Sequence, residues 1–436
     1  MEGTTIDQQE NILKPRESHA IGEHVPSSTI TGASTTEEHH RLTWSDYGNL
    51  AILYALCFCQ GIPTGLAGAT IPATFKAFLP YGTVALFSLT AIPYCFKLLW
   101  APIIDFCWNF QIGRRMTWVL PTQILSGVML VVAGIWTRSS FAKVQDGSEI
   151  RHETLYISAW LLVCLLGAIQ SCVIDGWSVE LLRKEKVHWV GSVHTLGSIS
   201  GTFVAYTLFM FTFKDRLKYA EEAADVLAKF ISHWGIFFLG VAALLPLLKR
   251  EEKSRQNTKR AFGEAYTTVV SICQIRPVQH TIFIHLVARL AFEVNDGATD
   301  LKLLDQGTPN STMALLVLMV MPFDLASAYA AGLLSRVYEP LTIWQVAYML
   351  RLLSAGVAAI VVAVVPYGPP SALSLAAIYL QRVSSVVSGT IMFTTFLQFH
   401  LRIADPIASG TYMTILATAQ NIGDANQWAK LVFQSQ

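Results

Sequence analysis

The chain has 436 residues, of which 53% are hydrophobic and 14% charged, with a formal net charge of +1. Soluble domains carry charge on about a quarter of their residues, so a water-soluble globular class is excluded and a polytopic membrane protein is expected. The small net charge conceals segregation: charged residues crowd into a tail and connections, while runs of about twenty residues are nearly free of them.

Residues 1–47 are polar and rich in Ser, Thr and Glu, with no apolar core behind a basic start. They read as a disordered tail and not as a cleavable leader. Apolar windows able to cross a bilayer then fall near 49–69, 84–104, 118–136, 155–174, 189–211, 231–248, 281–292, 314–334, 344–365 and 373–397. A weaker eleventh begins near Pro406, and the seventh is short and interrupted by charge. The resulting fold class is all-α, a bundle of about 10–11 transmembrane helices.

The connection 249–277 divides the bundle into a six-helix half, 48–248, and a second half, 278–423. Its KREEKSRQNTKR portion is a solvated charge run, and AFGEAYTTVVSICQIRP fits an amphipathic helix lying on the membrane. Lys and Arg favour the even-numbered connections, which places these and the N-terminal tail in the cytoplasm. A short echo, Gly191-Ser-Val-His-Thr195 in the fifth span and Gly410-Thr-Tyr-Met-Thr414 in the eleventh, suits repeated transporter halves.

Seven cysteines, Cys57, Cys59, Cys95, Cys107, Cys164, Cys172 and Cys273, lie mostly in apolar runs. Lacking the spacing of a disulfide framework or a tetrahedral zinc site, they read as buried small hydrophobes. No cofactor, metal ion or nucleic-acid partner is expected; the partners are membrane lipids and a transported solute, with oligomeric state not encoded. The informative residues are ionisable ones inside apolar runs, where a charge is costly unless it faces a partner or a water-filled path. The basic set is Lys97, His194, Arg289 and Arg382; the acidic set is Asp105, Asp175, Glu293, Asp296, Asp300 and Asp324.

From about Gly48 to Gly423 the chain resembles the acetyl-coenzyme A transporters, an endomembrane branch of the major facilitator superfamily. The resemblance rests on GIPTGL (Gly61–Leu66), KLLWAPIID (Lys97–Asp105), the turn Gly113-Arg114-Arg115 with the following WVLPTQ, and IDGW (Ile174–Trp177). Trp234-Gly235, DLKLLDQGTP (Asp300–Pro309) and ADPIASGTYMTIL (Ala404–Leu416) continue it in order. It implies a bundle of two pseudo-repeated halves carrying acetyl-CoA from cytosol into the endoplasmic reticulum or Golgi lumen by alternating access. It implies no enzyme activity.

The resemblance has two departures. Gln170 is followed by Ser171 where the family usually has an acid. Beyond Gly423 the polar end 424–436 is too short for the rest of helix eleven and a twelfth helix, so the second half is expected to be incomplete.

A polyanion with an adenine ring needs cations and flat apolar walls, which nominates Lys97, His194, Arg289 and Arg382 as substrate contacts. Asp105 and Glu180, near the ends of helices two and four, lie within reach of Arg114 and Arg115 and read as a conformational latch. Asp175 and Asp296 are coupling candidates, with Asp175 also able to pair with Lys97. Exchange against CoA and proton coupling both stay open. So do carriage of another anionic solute, as in the related muropeptide permeases, a non-transporting regulatory role, and a membrane acyltransferase with His194 as base.

Overall fold

The computed structural model describes residues 42–75, 87–141, 153–183, 186–249, 251, 262–288, 292, 299–300, 302–368, 370–405 and 408–423. Arg289, Glu293 and Asp296, the tail before Leu42, most of the charge run after Lys249 and the segment 424–436 lie outside them. Among the described residues every regular element is helical, eight helices are long and apolar enough to cross a membrane, and a bent pair makes a ninth.

The first helix, α1 (Trp44–Thr74), starts earlier than the apolar window because a cap sets its beginning. The Thr43 hydroxyl accepts the Asp46 N–H while the Asp46 carboxylate accepts the Thr43 N–H, which satisfies donors the helix itself leaves orphaned. The second span, α2, is broken into Leu89–Cys95 and Lys97–Phe106, bent by 43°. Pro93 and Pro102 donate no amide hydrogen, and the Pro102 ring excludes a regular helix one turn back. The backbone tightens there instead, with Leu99 and Trp100 donating to the Phe96 and Lys97 carbonyls. Lys97 therefore sits on a break and not, as expected, inside a continuous helix.

The remaining helices are α3 (Met116–Phe141), α4 (Glu153–Leu181), α5 (Val187–Phe213) and α6 (Ala220–Leu248). After the inter-half connection come α7 (Phe262–Cys273), α8 (Arg276–Ala288), α9 (Asn310–Leu334), α10 (Pro340–Val364), α11 (Ala372–Ile403) and α12 (Ser409–Gly423). Helix α6 begins well before the apolar window because Glu221 and Glu222 fill its first turn, where the helix dipole favours acids that a hydropathy window counts against. The amphipathic α7 does not lie free on the membrane: Ile272 is buried in the core and the Tyr266 hydroxyl donates to the Leu99 carbonyl at 2.9 Å.

In lipid no hydrophobic gain draws helices together, so attraction comes from close approach of backbones. Helices α1 and α5 achieve it through Gly61 and Gly201, where a Cβ would strike the Ser198 and Phe58 carbonyls respectively. Gly201→Ala should destabilise the protein by about 1–3 kcal/mol through overpacking, read as a lower thermal midpoint in detergent. Gly240→Ala, at a glycine with open space around it, should leave the midpoint in place; equal midpoints for the two variants would remove this role for Gly201.

The buried side chains divide in a way that positions the site. One large cluster joins both halves, with Leu53, Ile104, Ile174 and Val190 from the first packed with Leu401, Met413 and Leu416 from the second. A second cluster, including Ile62, Phe87, Trp160 and Phe209, belongs to the first half alone, and two small clusters belong to the second half. The core that the halves share thus lies at the end of the bundle that holds Arg114 and Arg115. Large apolar side chains such as Ile135, Leu247, Leu353 and Val364 are exposed, as a lipid-facing surface requires.

Candidate functional site

Between α2 and α3 the turn passes through Gly113, whose φ of +110° only glycine adopts without penalty. It directs both following arginines back towards the helix ends. Arg115 is fully buried; its guanidinium donates to Asp105 at 2.9 Å, to Glu180 at 2.6 Å and to the Ser409 hydroxyl at 2.5 Å. Arg114 donates to Glu180 at 2.8 Å and to Ser409 at 3.0 Å, and lies 3.6 Å from Asp105. The other Asp105 oxygen accepts the N–H and hydroxyl of Thr411, at 2.6 and 2.9 Å, so the carboxylate sits at the positive end of α12.

The four expected latch residues thus meet in one cluster and bind the first half to α12 of the second. Burial alone would loosen the proton on Arg115, but Asp105 and Glu180 more than reverse this and its pKa lies above the ordinary arginine value. Burial and the Arg115 charge hold Arg114 below it. Gly176 of IDGW and Gly410 of GTYMT make the room: a Cβ would fall on the Arg115 guanidinium at the first and on the Asp105 carboxylate at the second. Glu251 accepts the Arg115 and Met116 N–H groups at 2.9 and 3.1 Å, capping α3 and fixing the turn.

A second seam closes the same end. Gln398 of α11 donates to the His188 carbonyl at 2.8 Å and to Ser192 at 3.3 Å, both on α5, and accepts from Ser335, just beyond α9. Thr394 donates to Thr195 at 3.2 Å. Gly191 and Gly410, the first residues of the two echoed segments, each seat their helix against the opposite half, Gly191 on Gln398 and Gly410 on Asp105.

Behind α5 lies a buried ionic group. Asp175 of α4 has Lys97 Nζ 3.1 Å from one oxygen and His194 Nε2 3.3 Å from the other, with Ser171 3.4 Å from Lys97. The Lys97 and Asp175 side chains are 6% and 7% exposed, so neither charge has water to fall back on and each stabilises the other.

On the other side of α5 a cavity of about 540 Å³ opens between the halves, within the range of small-molecule sites. The α5 wall is formed by Thr195, Ser198, Thr202 and Tyr206 among apolar neighbours. The second half contributes His285, Asp324, Arg351, Arg382 and the rings of Trp344 and Phe396. The His285 and His400 Nε2 atoms are 2.9 Å apart, one donating to the other. Arg382 forms an ion pair with Asp300.

Of the residues nominated as substrate contacts, Arg382 lines this cavity. Lys97 and His194 do not line it in this state; both face Asp175 instead. Arg289 and Asp296 lie outside the described residues. Cys107 is exposed and Cys95 and Cys273 half-buried, so only Cys57, Cys59, Cys164 and Cys172 are the buried hydrophobes expected. Sequence reasoning did not mark Glu251, Gln398, Ser409 or Arg351. The available signal was a glutamine or arginine inside an apolar run for Gln398 and Arg351; Glu251 looks like one more charge of a solvated run.

A family model described as Acetyl-coenzyme A transporter 1 matches residues 49–262, 247–339 and 331–435. An uncharacterized protein of Schizosaccharomyces pombe is 28% identical over 421 residues, covering 94% of this chain and 79% of that one. The anhydromuropeptide permease of Escherichia coli is 27% identical over 199 residues, 45% of this chain and 35% of the permease. A solved major facilitator proton:xylose symporter superposes with a TM-score of 0.60 at 13% identity, covering 89% of this chain and 88% of its own. That last likeness establishes the fold.

Proposed function

Because the chain belongs to the acetyl-coenzyme A transporter family, we propose that this multi-pass membrane transporter carries acetyl-CoA from the cytosol into the endoplasmic reticulum or Golgi lumen. The observation that carries this reading is the cavity between two halves that are joined at one end by Asp105, Arg115, Glu180 and Ser409. A carrier works by opening one end while closing the other. Contacts that bridge the halves at one end are what such a cycle must break and remake.

With the N-terminus in the cytoplasm, the closed end is the cytoplasmic one and the cavity belongs to a lumen-facing state. Arg114 and Arg115 serve the latch, while Lys97, Asp175 and His194 couple helix movement to the cycle from behind α5. Arg382 contacts the cargo. The E. coli permease relative favours a second reading, carriage of another anionic solute on the same frame.

Labelled acetyl-CoA supplied to proteoliposomes containing the protein should accumulate above protein-free vesicles, be competed by unlabelled acetyl-CoA and be recovered chemically unchanged. Accumulation of labelled anhydromuropeptide in its place would select the second reading. Recovery of deacetylated product would overturn both.

A further inference from the structure

The cavity walls are electrically unequal. Among the described residues lining it, α5 offers hydroxyls and apolar groups, whereas both arginines come from the second half, Arg351 from α10 and Arg382 from α11. A smaller contiguous cavity of about 300 Å³ is also lined by Arg351 and Arg382, together with Asp300 and Asp324. Thr390 donates to Asp324, and the Arg351 guanidinium lies 5.6 Å from the Phe292 ring centroid.

We infer that this corner of the second half is a phosphate-binding subsite, in which Arg351 and Arg382 take the phosphate oxygens of the cargo and Asp300 holds Arg382 when no cargo is present. The inference rests on the acetyl-CoA reading and adds an orientation to it: the phosphates lie against α10 and α11, and the uncharged thioester arm against α5.

Two ion pairs within the bundle decide which cation is free to change partner. Lys97 and Asp175 are both almost fully buried, and taking either from the other strands a charge away from water. Asp300 is 46% exposed and Arg382 20%; a pair that solvent already reaches contributes little and is given up easily. A guanidinium also presents parallel N–H donors that match a phosphate, which a lysine does not. Arg382 is therefore the exchangeable cation, and Asp300 is the carboxylate that cargo phosphate displaces. Asp324, whose carboxylate shares the site, disfavours a second negative group there, so it sets a limit on phosphate affinity.

The test is binding to the purified full-length chain in nanodiscs, with acetyl-CoA, ADP and phosphate-free S-acetylpantetheine as probes. Arg382→Gln and Arg351→Gln should each weaken acetyl-CoA and ADP binding by about tenfold or more, since a charged hydrogen bond is lost, and leave S-acetylpantetheine within twofold. Asp300→Asn should act in the opposite direction and tighten both phosphate-bearing probes, because it releases Arg382. If Arg382 and Asp300 merely held the fold together, the two variants would lose affinity alike for all three probes, and that result overturns the subsite. Equal losses for ADP and S-acetylpantetheine in the arginine variants overturn it too. Failure of the acetyl-CoA reading has a different signature: the wild-type chain would bind ADP with the same arginine dependence but neither bind nor accumulate acetyl-CoA.

Discussion

Replacing Arg115 by glutamine should shift the transporter away from the state closed at the latch end by about tenfold to a hundredfold. Arg115 is fully buried and donates to Asp105 and Glu180 of the first half and to Ser409 of the second, and Ser409 in turn donates to Glu180. Removing one partner of a buried ionic network costs about 3–5 kcal/mol, because the remaining charges stay out of water. The Asp105 and Glu180 contacts lie within the first half and are lost in both states, so the charge-assisted bond to Ser409, about 1.5–3 kcal/mol, is what moves the equilibrium, while Thr411 still donates to Asp105 and Ser409 to Glu180. Arg114→Gln should have a smaller effect, since Arg114 is 19% exposed and sits 3.6 Å from Asp105. Arg115→Lys should rescue only in part, because a point charge cannot serve two carboxylates in the fork geometry. Thiol labelling of a cysteine placed at position 408, within the seal, reports the state. Equal labelling in wild type and Arg115→Gln would refute the latch.

Asp175→Asn should strongly destabilise the fold. It leaves Lys97, with its buried ammonium, facing Ser171 and a neutral amide, at a cost of about 3–5 kcal/mol. Lys97→Met alone should cost a comparable amount by stranding the carboxylate beside His194. The double variant Lys97→Met/Asp175→Asn removes both charges and should recover most of the thermal midpoint, because a buried pair replaced as a unit is close to neutral. Uptake by the double variant should nevertheless remain at least tenfold down, as an intramembrane ionisable cluster is normally retained for work in the cycle. Uptake returning together with stability would reduce the group to a structural pair. Additive losses in the double variant would show that Lys97 and Asp175 do not depend on each other.

Much of the site was legible in residue order, and the exceptions are instructive. Asp105, Arg114, Arg115 and Glu180 stand out because charges at the ends of apolar runs must find partners, and the turn at Gly113 allows few. Lys97 stands out for the same reason, and in this state it pairs with Asp175. A sequence shows that a buried cation needs compensation, but not whether a carboxylate of α4 or a ligand phosphate provides it. The broken α2 was hidden as well: Pro93 and Pro102 are visible, but hydropathy windows average over them. Glu251 had no signal, since its task as a cap on α3 depends on where the chain returns after α6.

The sequence by itself determined that this is an all-α membrane protein in two halves, that a few charges are committed to its interior, and which family it resembles. Bilayer thickness and the cost of burying charge act on local composition, so they can be read along the chain. The tertiary structure decided which charges pair, which end of the bundle is shut, and which wall of the cavity holds the arginines described there. Those properties rest on contacts between residues far apart in the chain, such as Arg115 with Ser409 and His188 with Gln398. Hydrogen bonds act over about 3 Å, and only the packed helices bring such residues within that range.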